Sequence, residues 1–260
     1  VSIRLGQGRR QQAEQIVGHA FVLLAGVSLA LTAVGLALRD PILSLFGASP
    51  EMLGHARSYI TVILLGNVLQ GVGFGLNNVI RAQGDARTAM TTMLLGAVLN
   101  LVLDPVFIFA LRLGVAGAAL ATVLSMAATC AWVLVHFTGR RSPLRLRREN
   151  LRLDPRVVKE ILAIGMAPFA MQLAGSVIHA VFNVQLIRHG SDLAVGAMGI
   201  INGTGMMVVF CVIAVNMAAQ PVIGFNYGAR NYPRVKRTLK IALIAATAMT
   251  SAGFLAVQLF

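Results

Sequence analysis

Asp104 is the residue whose position in this sequence most directly suggests chemistry. Of the nine acidic residues, it alone falls deep within a long apolar run. A charge at the centre of a bilayer costs about 2.5–3.5 kcal/mol on insertion scales, and such groups commonly mark ion or proton routes. Asn100 stands four residues earlier, on the same face of a helix. Pro105 follows directly; it has no N–H to donate, so a kink is expected there. A kink frees carbonyl oxygens beside a carboxylate and an amide oxygen. Those are ligands for a hard cation such as Na+, or stations for a proton. Thr122, in the next apolar run, would lie at similar depth if the two runs are antiparallel neighbours. The competing reading is structural. Asn100 and Asp104 would then satisfy the backbone opened by Pro105 or pair with each other, and Thr122 would bond its own helix carbonyl.

Other polar residues also fall inside apolar runs. Gln70, Asn77, Gln172, Asn183 and Asn202 are candidates to line a water-filled substrate cavity. Taken singly, each reads first as hydrogen-bonding glue between helices, as do Asn78 and Asn216. His179 reads as a neutral buried imidazole. Met166, Met171, Met198, Met206, Met207 and Met217 suit packing or lipid contact. Gly71, Gly73 and Gly75 permit close helix approach. Cys130 and Cys211 read as small hydrophobes. No nucleophile–histidine–acid set, zinc spacing, paired carboxylates or phosphate-cradling glycine loop is present, so no enzyme, no cofactor and no metal beyond Na+ at Asp104 is expected.

The elements that must position these residues are membrane helices. Hydrophobic residues make up 57% of the 260, charged residues 12%, and mean hydropathy is +0.78, while net charge is +13. A soluble domain carries about twice that charged fraction. Seven runs reach the roughly 20 residues needed to cross a bilayer as helix: 16–38, 56–80, 88–111, 115–137, 159–187, 193–219 and 238–260. The expected fold is therefore all-α, a polytopic membrane helix bundle. Eighteen of the 22 Lys and Arg fall in 1–15, 81–87, 138–159 and 228–240; Arg39, Arg57, Arg112 and Arg188 fall on the other side. This alternation across seven spans makes the first set cytoplasmic, including loops 81–87, 138–158 and 228–237 of a multi-pass plasma-membrane protein. The basic excess then needs no nucleic acid, although the long basic loop would also suit anionic lipid. Asp104 would lie about 24 Å from the inner end of its span.

Residues 1–8, VSIRLGQG, align with 223–230, IGFNYGAR, at an offset of 222, with Gly6 on Gly228. The pattern suggests two pseudo-repeated lobes: 1–137, a basic linker at 138–158, and 159–260. With no initiator Met and an end inside a span, the chain reads as an internal piece of a longer transporter, inert alone.

RAQGDARTAM (81–90), GAVLNLVLDPVFIFALRLGVAGAALATVLS (96–125) and QPVIGFNYGARNYPRVKR (220–237) resemble the multidrug and toxic compound extrusion (MATE) family. The resemblance runs along essentially the whole chain. It implies twelve helices in two six-helix lobes, with the seven spans as the third to ninth. It implies a monomeric antiporter that exports amphipathic, often cationic compounds against inward Na+ or H+. The family's cation site uses an Asn and an Asp four apart on the fifth helix and a Thr on the sixth, which Asn100, Asp104 and Thr122 match. An acid found in the seventh helix of some branches has no counterpart; Gln172 and Ser176 occupy that region. Gly203 stands where an Arg is frequent, and Cys211 where a Pro is frequent. The alternatives are a lipid-linked saccharide flippase of the wider superfamily, which would need a basic cavity, and a membrane assembly subunit without transport.

Overall fold

A computed structural model describes residues 1–45, 50–139, 142–189 and 192–259. They form α1 (Ser2–Gly6), α2 (Arg10–Ala37), α3 (Arg39–Leu45), α4 (Pro50–Ala82), α5 (Ala86–Pro105), α6 (Gly114–Thr138), α7 (Pro155–His189), α8 (Asp192–Gly228) and α9 (Tyr232–Leu259). A π-helical turn, Val106–Ala110, continues α5, and a 3-10 turn covers Arg148–Leu151. Among the described residues there is no strand. Seven helices are long and apolar enough to cross a membrane. Helix is the form that lets a single apolar segment pair every backbone group within itself, which lipid demands. Leucine, valine, phenylalanine and methionine side chains remain exposed along most of these helices, as they do on proteins solvated by acyl chains.

The chain divides into two compact units, Val1–Asp154 and Pro155–Phe260. In the first, α4 packs against both α2 and α6, and α5 packs on α6. Glycines make the close approaches. A Cβ on Gly71 or Gly75 would run into Ser28 and Leu24 of α2. On the opposite face, a Cβ on Gly73 would sit 3.2 Å from Cys130 Cα, and one on Gly66 would sit 2.6 Å from Val123, both in α6. The buried core gathers Val17, Leu76, Ile80, Ala89, Val133, Phe137 and Leu144 at the arginine-rich end. At the other end, Arg39 and Arg57 both pair with Asp40, at 3.2 and 2.9 Å, so one carboxylate offsets one of the two charges there. In the second unit α9 lies along α8, and a Cβ on Gly253 would meet Val208 at 2.7 Å.

Basic segment 138–158 has an anchored part. Residues 142–154 belong to the first unit. Leu144 is fully buried in its core, and Leu146 N–H bonds Phe137 O at 3.2 Å. Arg147 reaches the buried Glu14 at 3.2 Å, with Arg10 on the same carboxylate at 3.6 Å. Asp154 N–H donates to His19 Nε2 at 2.7 Å, which leaves the ring proton on Nδ1, 2.8 Å from Gln15 O. These partners assign the tautomer. Gly18 lies directly against the Asn150 backbone.

The aligned turns also agree in hydrogen bonding. After α1, Gly8 N–H bonds Leu5 O and Arg9 N–H bonds Arg4 O, at 3.0 and 2.9 Å. At an offset of 222, Arg230 N–H bonds Tyr227 O and Asn231 N–H bonds Asn226 O, at 3.1 and 2.8 Å. After α4 the same pair recurs, from Gly84 to Arg81 and Asp85 to Ile80. Each is a Schellman ending whose left-handed residue has φ of +73°, +57° or +91° for Gly8, Arg230 and Gly84.

Asp85 then caps α5, accepting from Thr88 N–H at 3.0 Å. Partial burial pushes its carboxyl up, but hydrogen bonds from the Thr88 hydroxyl and N–H, with His136 nearby, outweigh that and hold it below the ordinary range. A depressed carboxylate stabilises the fold above the unfolded-state pKa and ceases to as pH falls through the folded-state value. Asp85→Ala is therefore expected to cost about 1 kcal/mol at neutral pH. The difference from the parent should shrink as pH drops below about 4. Thermal unfolding in detergent across pH measures both.

Candidate cation site and cavity

Three helices of the first unit each present residues at the spacing of one helical face. On α4 these are Gln70, Gly73, Phe74 and Asn77; on α5, Thr92, Met93, Gly96, Ala97 and Asn100; on α6, Thr122, Ser125, Met126 and Thr129. Together they line an open cavity of about 320 Å³. The glycines keep the walls thin, and Phe74, Met93 and Met126 supply apolar surface.

At one end of this wall Asn100 joins the other two candidates. Its Nδ2 donates to Asp104 Oδ1 and to Thr122 Oγ1, both at 3.3 Å. Thr122 Oγ1 itself donates to Ala118 O at 2.9 Å, so the hydroxyl both bonds its own helix and offers a lone pair. Asp104 is half-buried, one turn beyond Asn100 and next to the cavity lining. Among the described residues no Lys or Arg pairs with it, and none lines the cavity. Directly after it, Pro105 ends the α-helical hydrogen bonding and the chain widens into the π turn, where Leu111 N–H bonds Val106 O at 2.9 Å and Leu113 N–H bonds Phe107 O at 3.1 Å. The proline therefore changes the helix form rather than only bending its axis.

The remaining candidates divide by unit. Gln70 and Asn77 share the cavity with Asn100 and Thr122. Asn77 is 2% exposed; its Nδ2 donates to Ala89 O at 3.3 Å, and no protein donor reaches its Oδ1. Gln172 and Asn202 are exposed residues of the second unit, where Ser176 bonds the Gln172 carbonyl at 3.0 Å. The side chains of His179 and Asn183 lie outside the described residues. Thr92, Ser125 and Thr129 are cavity residues that sequence reasoning passed over. The signal was present, since 122, 125 and 129 fall on one helical face and 92, 96 and 100 on another.

The seven apolar helices, three of which line a polar, acid-flanked cavity, define a multi-pass plasma-membrane protein. The MatE family model matches residues 1–106 and 167–260, and the chain belongs to that family. It is 29% identical over 242 residues to the multidrug export protein MepA of Staphylococcus haemolyticus, covering 90% of this chain and 53% of MepA. The structure of the MATE multidrug transporter DinF-BH in complex with R6G superposes with a TM-score of 0.88 at 36% identity, covering 97% of this chain and 57% of that one. A MOP superfamily transporter from Pyrococcus furiosus, described as having a binding pocket of reverse polarity that suggests a different function, superposes at 0.87 with 28% identity, covering 98% and 56%. The chain thus spans about half the length of the relatives it matches.

Proposed function

We propose that this chain forms part of a cation-coupled antiporter, monomeric when whole, that exports amphipathic or cationic compounds in exchange for Na+ or H+. The observation that carries the reading is the carboxylate of Asp104, without an ion-pair partner among the described residues and tied by Asn100 to Thr122 at the end of a cavity that no described Lys or Arg lines. A carboxylate without a fixed countercharge can exchange a small cation with water. A cavity with hydroxyl and amide oxygens but no basic group suits positively charged cargo. The names of MepA and DinF-BH support multidrug export. Loading of Asp104 drives transport only if the inward- and outward-facing states hold the ion with unequal affinity.

The same wall argues against the saccharide-flippase alternative. A diphosphate-linked cargo calls for guanidinium or ammonium groups, and the cavity has none among the described residues. By the charge alternation, the arginine-rich end faces the cytoplasm.

The test is transport by the full-length protein in proteoliposomes loaded with a fluorescent organic cation. Release should follow an imposed Na+ gradient or an imposed pH gradient, each applied alone. Release under neither, with correctly oriented protein, contradicts the proposal.

A further inference from the structure

The two turns related by the offset of 222 differ in how their charges are balanced. In the first, Glu14 lies buried one turn into α2 and takes both Arg10 and Arg147, at 3.6 and 3.2 Å. The same offset puts Lys236 of α9 at the place of Glu14. Around it stand Arg230, Arg234, Arg237 and Lys240, all exposed. From 193 to 260 the sequence contains no Asp or Glu. Among the described residues none of these five side chains forms an ion pair, not even with Glu160 of α7. Arg234 and Arg237 are three apart on α9, as are Arg237 and Lys240, while Lys236 and Lys240 are four apart. Like charges at those spacings are neighbours on the helix surface and repel. The first unit answers its basic turn with its own carboxylate; the second has none there.

The apolar surroundings say what kind of anion fits. Leu239 and Ile241, on either side of Lys240, are 49% and 59% exposed. Tyr227 and Tyr232 are exposed too, with their rings edge to face at 5.9 Å. Exposed tyrosines where a helix turns apolar mark the headgroup level of a bilayer. A lysine at that level lays its stem on acyl chains and holds its ammonium among the phosphates. A soluble anion would leave the leucine and isoleucine in water. We infer that the cytoplasmic end of α9, from Arg230 to Lys240, is a binding surface for anionic phospholipid, whose phosphodiesters supply the countercharge that Glu14 supplies in the first unit. Guanidinium groups donate paired hydrogen bonds to a phosphate. A zwitterionic headgroup brings its own ammonium, which repels the cluster that its phosphate attracts.

The experiment is native mass spectrometry of the full-length protein in detergent, titrated with phosphatidylglycerol or phosphatidylcholine and read as lipid retained. Phosphatidylglycerol should bind about tenfold more tightly than phosphatidylcholine. Lys236→Glu gives α9 the carboxylate that α2 has, and should lower that preference at least about fivefold. Lys236→Gln only removes the charge; it should lower the preference about two- to fivefold and covers failure of the glutamate variant to fold. Arg87→Glu makes the same change in net charge at another exposed cytoplasmic position, and should stay within about twofold of the parent. The inference is overturned if the parent binds the two lipids alike or if both Lys236 variants keep the parent's preference. It is also overturned if Arg87→Glu loses the preference equally, since net charge alone would then be the cause. Release of bound phosphatidylglycerol by inorganic phosphate at matched ionic strength overturns it as well, because the surface would then serve a soluble anion.

Discussion

Replacing Asp104 with Asn in the full-length protein is expected to cut ion-driven efflux by at least about tenfold while leaving the bundle folded. The two readings of this residue part at this substitution. If Asp104 only satisfies its neighbours, asparagine suffices: its amide oxygen still accepts from Asn100 Nδ2, which now lies 3.3 Å from the carboxylate. If Asp104 exchanges an ion, asparagine fails, because it has no charge to trade and no proton to release near neutral pH. Thermal stability in detergent should stay within a few degrees of the parent, since no partner charge among the described residues is stranded. Release from loaded proteoliposomes at equal protein content, under Na+ and pH gradients separately, is the measurement. Unchanged rates under both would reject the coupling role.

The second large effect is expected far from the cavity. Gly18→Val should release residues 142–154 from the first unit. Its Cβ would fall on the backbone of Asn150, 2.7 Å from Asn150 Cβ and 2.8 Å from its carbonyl carbon, and backbone cannot swing aside as a side-chain tip can. Overpacking of this kind costs about 1–3 kcal/mol. That shifts the docked–undocked equilibrium by roughly five- to 150-fold. The segment carries Arg145, Arg147, Arg148 and Arg152, all exposed, so limited trypsin digestion reads its freedom directly. Cleavage there should accelerate by at least about fivefold in Gly18→Val. Gly165→Val, at a position with open space around it, should digest like the parent. Equal digestion of both variants would mean that the contact at Gly18 does not hold the segment.

Much of this fold could be read from composition alone, because a bilayer leaves few solutions. All seven runs are helices, and their charge alternation needed only a count of arginines. The ends were less legible. α2 begins at Arg10, six residues before its apolar run, because Arg10 and Glu14 continue the helix outside the lipid while pairing with each other. α8 continues to Gly228 for a related reason: Gln220 and Asn226 break the apolar pattern without breaking helical hydrogen bonding. α3 and the anchoring of 142–154 gave no signal. Leu144 and Leu146 sit among arginines, and nothing in their order reveals that one of them is fully buried. At the site, Asn100, Asp104 and Thr122 were findable because an acid in an apolar run is rare. Thr92, Ser125 and Thr129 gave only the weaker signal of a shared helical face, because hydroxyls are common in membrane helices and bond their own backbone wherever they fall.

Glycine spacing was the most informative weak signal. Gly71, Gly73 and Gly75 suggested close approach, and they alternate between two partners, α2 on one face and α6 on the other. That places α4 in the middle of the first unit and turns the row from Gln70 to Asn77 toward the cavity.

The widened turn after Pro105 has a consequence for rhythm. Thr92, Gly96, Asn100 and Asp104 follow one another at every fourth residue, a beat that an α-helix keeps nearly in line. A π turn takes up one residue more than an α turn, so the beat is lost at Val106. The carboxylate of Asp104 is thus the last member of the row before the turn widens.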